Sequence, residues 1–94
     1  MNFYLIAYDL NKEGQDYNKI KAAIKALGEA VFEQKSLAIV YSQYDEDTIV
    51  NHIIKNKSID KNDMLFVTKV ESCVSVNMKK TDDFIELKKQ KSQS

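Results

Sequence analysis

The stretch FYLIAY at residues 3–8 has no polar side. In an extended chain Phe3, Leu5 and Ala7 fall on one face and Tyr4, Ile6 and Tyr8 on the other, so a strand here has to be covered from both directions. A chain of 94 residues has little to cover it with. A domain of this size buries only about 60–68% of the surface its unfolded chain exposes, and one layer of helices protects one sheet face only. The strand also runs without a break into Asp9 and a polar loop that holds Gly14, one of the two glycines in the protein. A carboxylate at a strand end suggests either a turn or a site.

The remaining pattern supplies the partners. Asp16 is positioned to cap a helix in which Tyr17, Ile20, Ile24 and Leu27 recur at helical spacing while Lys19, Lys21 and Lys25 lie off that stripe. Gly28 is expected to end it as a C′ glycine. EAVFEQ (29–34) and SLAIVYS (36–42), separated by Lys35, read as a hairpin. The acidic run Asp45, Glu46, Asp47 precedes Ile49, Val50, Ile53 and Ile54, giving a second helix both a cap and favourable charge at its positive end. NKSIDKND (56–63) reads as a loop, MLFVTKV (64–70) as a fourth strand and ESCVSVN (71–77) as a short fifth one. A short helical piece is expected around Phe84, Ile85 and Leu87, before a frayed polar end at Ser92–Ser94.

The order β-α-β-β-α-β predicts an α+β, ferredoxin-like domain over residues 1–78, an antiparallel sheet with two helices on one face. Residues 79–94 form a basic, partly flexible C-terminal tail. Helices on one face leave the other apolar surface open, and a second subunit is the simplest cover, so a homodimer is expected.

Charge narrows the functional classes. The 14 cations are all lysines and are matched by 14 acids, so no overall field draws the chain to nucleic acid. Without arginine there is no planar fork for bidentate contacts to guanine or phosphate, which argues against sequence-specific base reading. The balance is uneven, with 9 Lys against 11 acids in residues 1–78 and 5 Lys against 3 acids in residues 79–94. No run approaches the ~20 apolar residues of a membrane span, and the N-terminus lacks a signal-peptide pattern, so a cytoplasmic protein is expected. The single cysteine, Cys73, has no internal partner and reads as a buried strand residue.

Asp9 is the leading site candidate, with two readings side by side. As a turn residue, its carboxylate accepts hydrogen bonds from the Leu10–Lys12 backbone. As a ligand, it offers oxygen to magnesium or manganese. His52 lies off the Ile49/Ile53 stripe and reads as a solvated helix histidine. Gly14 supplies backbone shape. Asp63 starts the fourth strand and Glu33 projects from the hairpin. Lys19, Lys21 and Lys25 form the wet face of helix one, and Tyr8 and Tyr41 read as packing residues at a sheet edge. Any contact with nucleic-acid phosphate falls to Lys12 beside the junction and to the tail lysines Lys79, Lys80, Lys88 and Lys89.

YLIAYDLNKEGQDY, followed by IKAAIKALG, a hairpin and NDMLFVTKV, resembles the SinR-like, or Cas two-like, group of small bacterial and phage proteins over residues 3 to about 70. Through fold order and Tyr8-Asp9 the chain also resembles the small CRISPR-associated adaptation subunit, a ferredoxin-like dimer. That resemblance implies that Asp9 from each subunit holds a Mg2+ or Mn2+ ion for phosphodiester hydrolysis, in a protein acting on or alongside nucleic acid in host–mobile-element biology. Two alternatives stay open: a non-catalytic module or inhibitor docking on a partner protein through its sheet edge or tail, and a ribonuclease toxin resembling virulence-associated protein D.

Overall fold

A strand that is apolar on both sides belongs in the middle of a sheet, and β1 (Asn2–Asp9) lies there. The structure, a computed structural model, describes residues 1–11, 17–56 and 59–93. After β1 come α1 (Tyr17–Lys25), β2 (Glu29–Gln34), β3 (Leu37–Ser42), α2 (Glu46–Lys55), β4 (Met64–Val70) and α3 (Lys79–Gln93). The four strands run in the order β2-β3-β1-β4, every neighbouring pair antiparallel. This is the expected α+β, ferredoxin-like arrangement, with a third helix added.

The inner face carries the core. Tyr4 pairs with Val40 and Ile6 with Ala38, and Ile20, Ala23 and Ile24 of α1 and Ile49 and Ile53 of α2 close over them. Ile6, Ile20, Ile24, Val40, Ile49 and Ile53 are fully buried, each contributing about 1.5–3 kcal/mol relative to an exposed side chain. Asp45 caps α2 as the sequence predicts, its carboxylate accepting the Thr48 N–H at 2.8 Å. That hydrogen bond holds the Asp45 carboxyl below its ordinary value. The cap expected of Asp16 lies outside the described residues, as does Gly14.

Two inner-face details differ from the sequence reading. Gly28 follows α1 without entering the left-handed region, and its missing side chain matters for another reason: a Cβ there would run into the Tyr41 carbonyl of β3. The chain needs glycine for close approach. Beside it, the buried Ser42 hydroxyl donates to the Leu27 carbonyl at 2.8 Å and accepts the Tyr44 N–H at 3.1 Å, tying the exit of α1 to the end of β3. His52, expected in solvent, is half-buried, and its Nε2 lies 3.1 Å from the Ala23 carbonyl, bracing α2 against α1.

On the outer face stand Phe3, Leu5 and Ala7 of β1 with their cross-strand partners Tyr41, Ile39 and Leu37 of β3. Here the chain covers part of its own second face. Residues 79–93 are one continuous helix, longer than the short piece expected. Phe84 sets its ring edge-on to Phe3 with centroids 6.0 Å apart, and Ile39 is buried although it lies outside the core cluster of the inner face. The fifth strand expected over 71–77 is not formed. That segment leaves β4 at one edge of the sheet, whereas α3 packs along β2 at the other, a crossing of three inter-strand spacings, or roughly 14 Å. Running between these two edges, the segment leaves Val74 and Val76 exposed, and Cys73 is exposed as well, not buried in a strand.

Candidate interaction site

Where α3 does not reach, the outer face opens. The alternation Phe3, Leu5, Ala7 carries on to Asp9, and the antiparallel register puts Ala7 beside Phe66 and Asp9 beside Met64 on one flank. On the other flank Ala7 pairs with Leu37, just past the hairpin turn. Together with Gln34, Ser36 and Asp63 these residues line an open cleft of about 730 Å³. Its walls are largely apolar, yet Met64 is 65% and Phe66 61% exposed. Two large apolar side chains side by side in solvent is what a contact surface presents, whereas single exposed ones need no explanation.

Asp9 is exposed at the rim of this cleft. Of the backbone amides weighed for its turn role, that of Asn11 goes to a different carboxylate: Asp63 Oδ1 accepts the Asn11 N–H at 2.7 Å and Asp63 Oδ2 accepts the Asp60 N–H at 2.8 Å. Asp63 therefore clamps the β1 exit to the β4 entry and does more than start a strand. Among the described residues, no group of three or more His, Cys, Asp or Glu side chains converges as a metal shell.

The other candidates are dispersed. Lys12 lies outside the described residues. Lys79 pairs with Asp83 at 3.0 Å on the exposed start of α3, and Lys80 and Lys89 are also exposed. At about 100° per residue, the nine positions from Lys80 to Lys89 set them on opposite sides of the helix. Lys88 is buried: its ammonium pairs with Glu29 and lies over the Tyr41 and Phe84 rings, which makes it a docking residue of α3 instead of a phosphate contact. Glu33 accepts both the N–H and the hydroxyl of Thr81 at 2.9 Å, capping α3 from β2. On α1, Lys21 and Lys25 stand over the Phe32 ring at 5.6 and 5.8 Å.

Tyr8 departs furthest from its expected place. It lies in the central strand with its side chain on the inner face, 3% exposed, and not at an edge. Among the described residues its hydroxyl has no hydrogen-bond partner. Burial pushes that hydroxyl up to about 12, and the nearby Tyr17 adds to the shift.

The cleft residues Leu37, Met64 and Phe66 were not singled out by sequence reasoning. Their signal was present, since Met64 and Phe66 share a face of MLFVTKV just as Ala7 and Asp9 share one of β1, but only the register brings the two faces together.

No protein-family model and no curated protein matches this chain. The crystal structure of a hypothetical protein from Thermus thermophilus is similar to it in fold, with a TM-score of 0.56 and 25% identity over 80% of this chain and 88% of that one. No described helix is long and apolar enough to cross a membrane.

Proposed function

We propose that this protein is a non-catalytic protein-interaction module that self-associates through the open end of its outer sheet face. The observation carrying this reading is the cleft at Ala7, Leu37 and Phe66, an apolar surface bordered by β4, an edge strand whose outer side lacks a partner among the described strands. An exposed apolar patch beside an unpaired strand edge is a ready template for a second chain. A second copy is the occupant that a chain of 94 residues calls for, because its own third helix covers only part of that face. In the host–mobile-element setting implied by the resemblance to SinR-like and Cas two-like proteins, such a module works alongside nucleic acid. Balanced charge, the absence of arginine and the scattered tail lysines speak against a tight grip on a phosphate backbone. Light scattering tests the reading: the wild type should run at twice the 10.8 kDa chain mass and Phe66→Glu at the monomer mass. A monomeric wild type, or a variant still dimeric, would remove it.

A second reading has one observation in its favour. Asp9 is exposed and lies on the outward face of β1 beside the cleft, so two copies meeting there would bring their Asp9 carboxylates toward each other, as a dimeric Mg2+- or Mn2+-dependent phosphodiesterase requires. Among the described residues of one chain, no such shell is assembled around Asp9. Asp9-dependent, metal-dependent cleavage of RNA or DNA would decide for this enzyme, and cleavage of RNA without that dependence for a ribonuclease toxin of this fold.

A further inference from the structure

We infer that α3 is a releasable cover on the outer sheet face, held mainly by polar contacts to β2, and that its release joins the surface beneath it to the open cleft. The inference rests on the self-association reading for its consequence, an enlarged surface for a second copy, but not for the motion itself. Leu37, Ile39 and Tyr41 of β3 and Phe3, Leu5 and Ala7 of β1 make one continuous apolar face. Its Ala7/Leu37 end is the cleft. Its other end lies beneath α3, where Phe84 sits on Phe3.

Three features make the cover detachable. Among residues 79–90 the two buried side chains are Thr81 and Lys88, while Phe84 and Ile85 are half-buried and Leu87 is exposed, so α3 contributes no fully buried apolar residue. The anchors of those two buried residues are the carboxylates of Glu33 and Glu29, both on edge strand β2. The helix is tethered by residues 71–77, which have no regular structure, and Asn77 within them has a φ of 60°. A helix that docks through charge-assisted hydrogen bonds at an edge, on a tether without regular structure, opens more readily than strands locked in a core.

Hydrogen exchange followed by mass spectrometry tests this on the full chain, at a concentration where it is monomeric. In the wild type, amides of 79–90 should exchange at least about tenfold faster than those of β1 and β3. In Glu29→Gln/Glu33→Gln they should exchange about tenfold faster again while β1 and β3 stay protected. Thr81→Val, a milder change, should move the α3 amides the same way by a smaller factor and covers the case in which the double variant does not fold. Helix amides that exchange only with global unfolding, or that ignore all three substitutions, would overturn the inference. Sedimentation of the double variant then reads the consequence: tighter self-association is expected. A monomeric double variant with a released helix would refute the self-association reading while leaving the releasable cover standing.

Discussion

Ile53 and Ile54 are neighbours in α2 and chemically identical, but the first is fully buried and the second 52% exposed. Truncating each to alanine deletes the same atoms, so the difference between the two losses isolates burial. For Ile53 the transfer of three carbon groups at ~0.8 kcal/mol each gives about 2.4 kcal/mol, and the cavity left between helix and sheet brings the expected loss into the range of about 2–5 kcal/mol. For Ile54 at most half of the transfer applies, roughly 1 kcal/mol, offset by a few tenths because alanine is the better helix former. A domain of this size has about 5–14 kcal/mol of stability in all, so Ile53→Ala removes a large share. Urea unfolding followed by circular dichroism should show the midpoint of Ile53→Ala lowered by roughly 1–2 M and that of Ile54→Ala hardly changed. Equal shifts, or a larger one for Ile54→Ala, would mean that α2 faces the sheet with a different side and that the inner core is wrongly described.

Gly28→Ala should destabilise by about 1–3 kcal/mol despite alanine's better backbone propensity, because the new methyl meets the Tyr41 carbonyl; a neutral result by thermal melting would show that β3 gives way there. Tyr8 is a neutral acid raised in the folded state, so the unfolded chain ionises first and stability falls as pH rises from 10 through about 12; the wild type should lose stability across that window relative to Tyr8→Phe, and parallel pH profiles would contradict it. Magnesium or manganese should leave the melting temperature of both the wild type and Asp9→Asn unchanged under the interaction-module reading, whereas a rise in the wild type alone, by ligand linkage, would favour the hydrolytic one.

What the sequence disclosed and what it hid divide along a physical line. Period and punctuation are local: the two-sided FYLIAY called for a strand covered on both faces, the Ile20/Ile24 and Ile49/Ile53 stripes marked the inner faces of α1 and α2, and Asp45 stood where a cap belongs. Register and long-range docking are not local. Asp9 read as either a turn residue or a ligand, and nothing local showed that Asp63, 52 positions away, would accept the Asn11 amide. Gly28 carried the usual signature of a helix stop, and only the approach of β3 reveals why a side chain is excluded. ESCVSVN alternates as a strand should, yet it has to carry the chain from β4 to a helix docked at the far edge and forms an irregular tether. Lys88 read as one of a basic run because composition cannot show that Glu29 and two aromatic rings wait on the sheet.

The central claim, that copies of this chain meet at the open end of the outer sheet face, is tested most directly by following backbone amide resonances of the isotope-labelled protein through a dilution series. The account predicts concentration-dependent shifts concentrated at Ala7–Asp9, Leu37 and Met64–Phe66, with the α1 and α2 amides constant. Spectra that do not change with concentration, or shifts gathered on the outward side of α1 and α2, would contradict it.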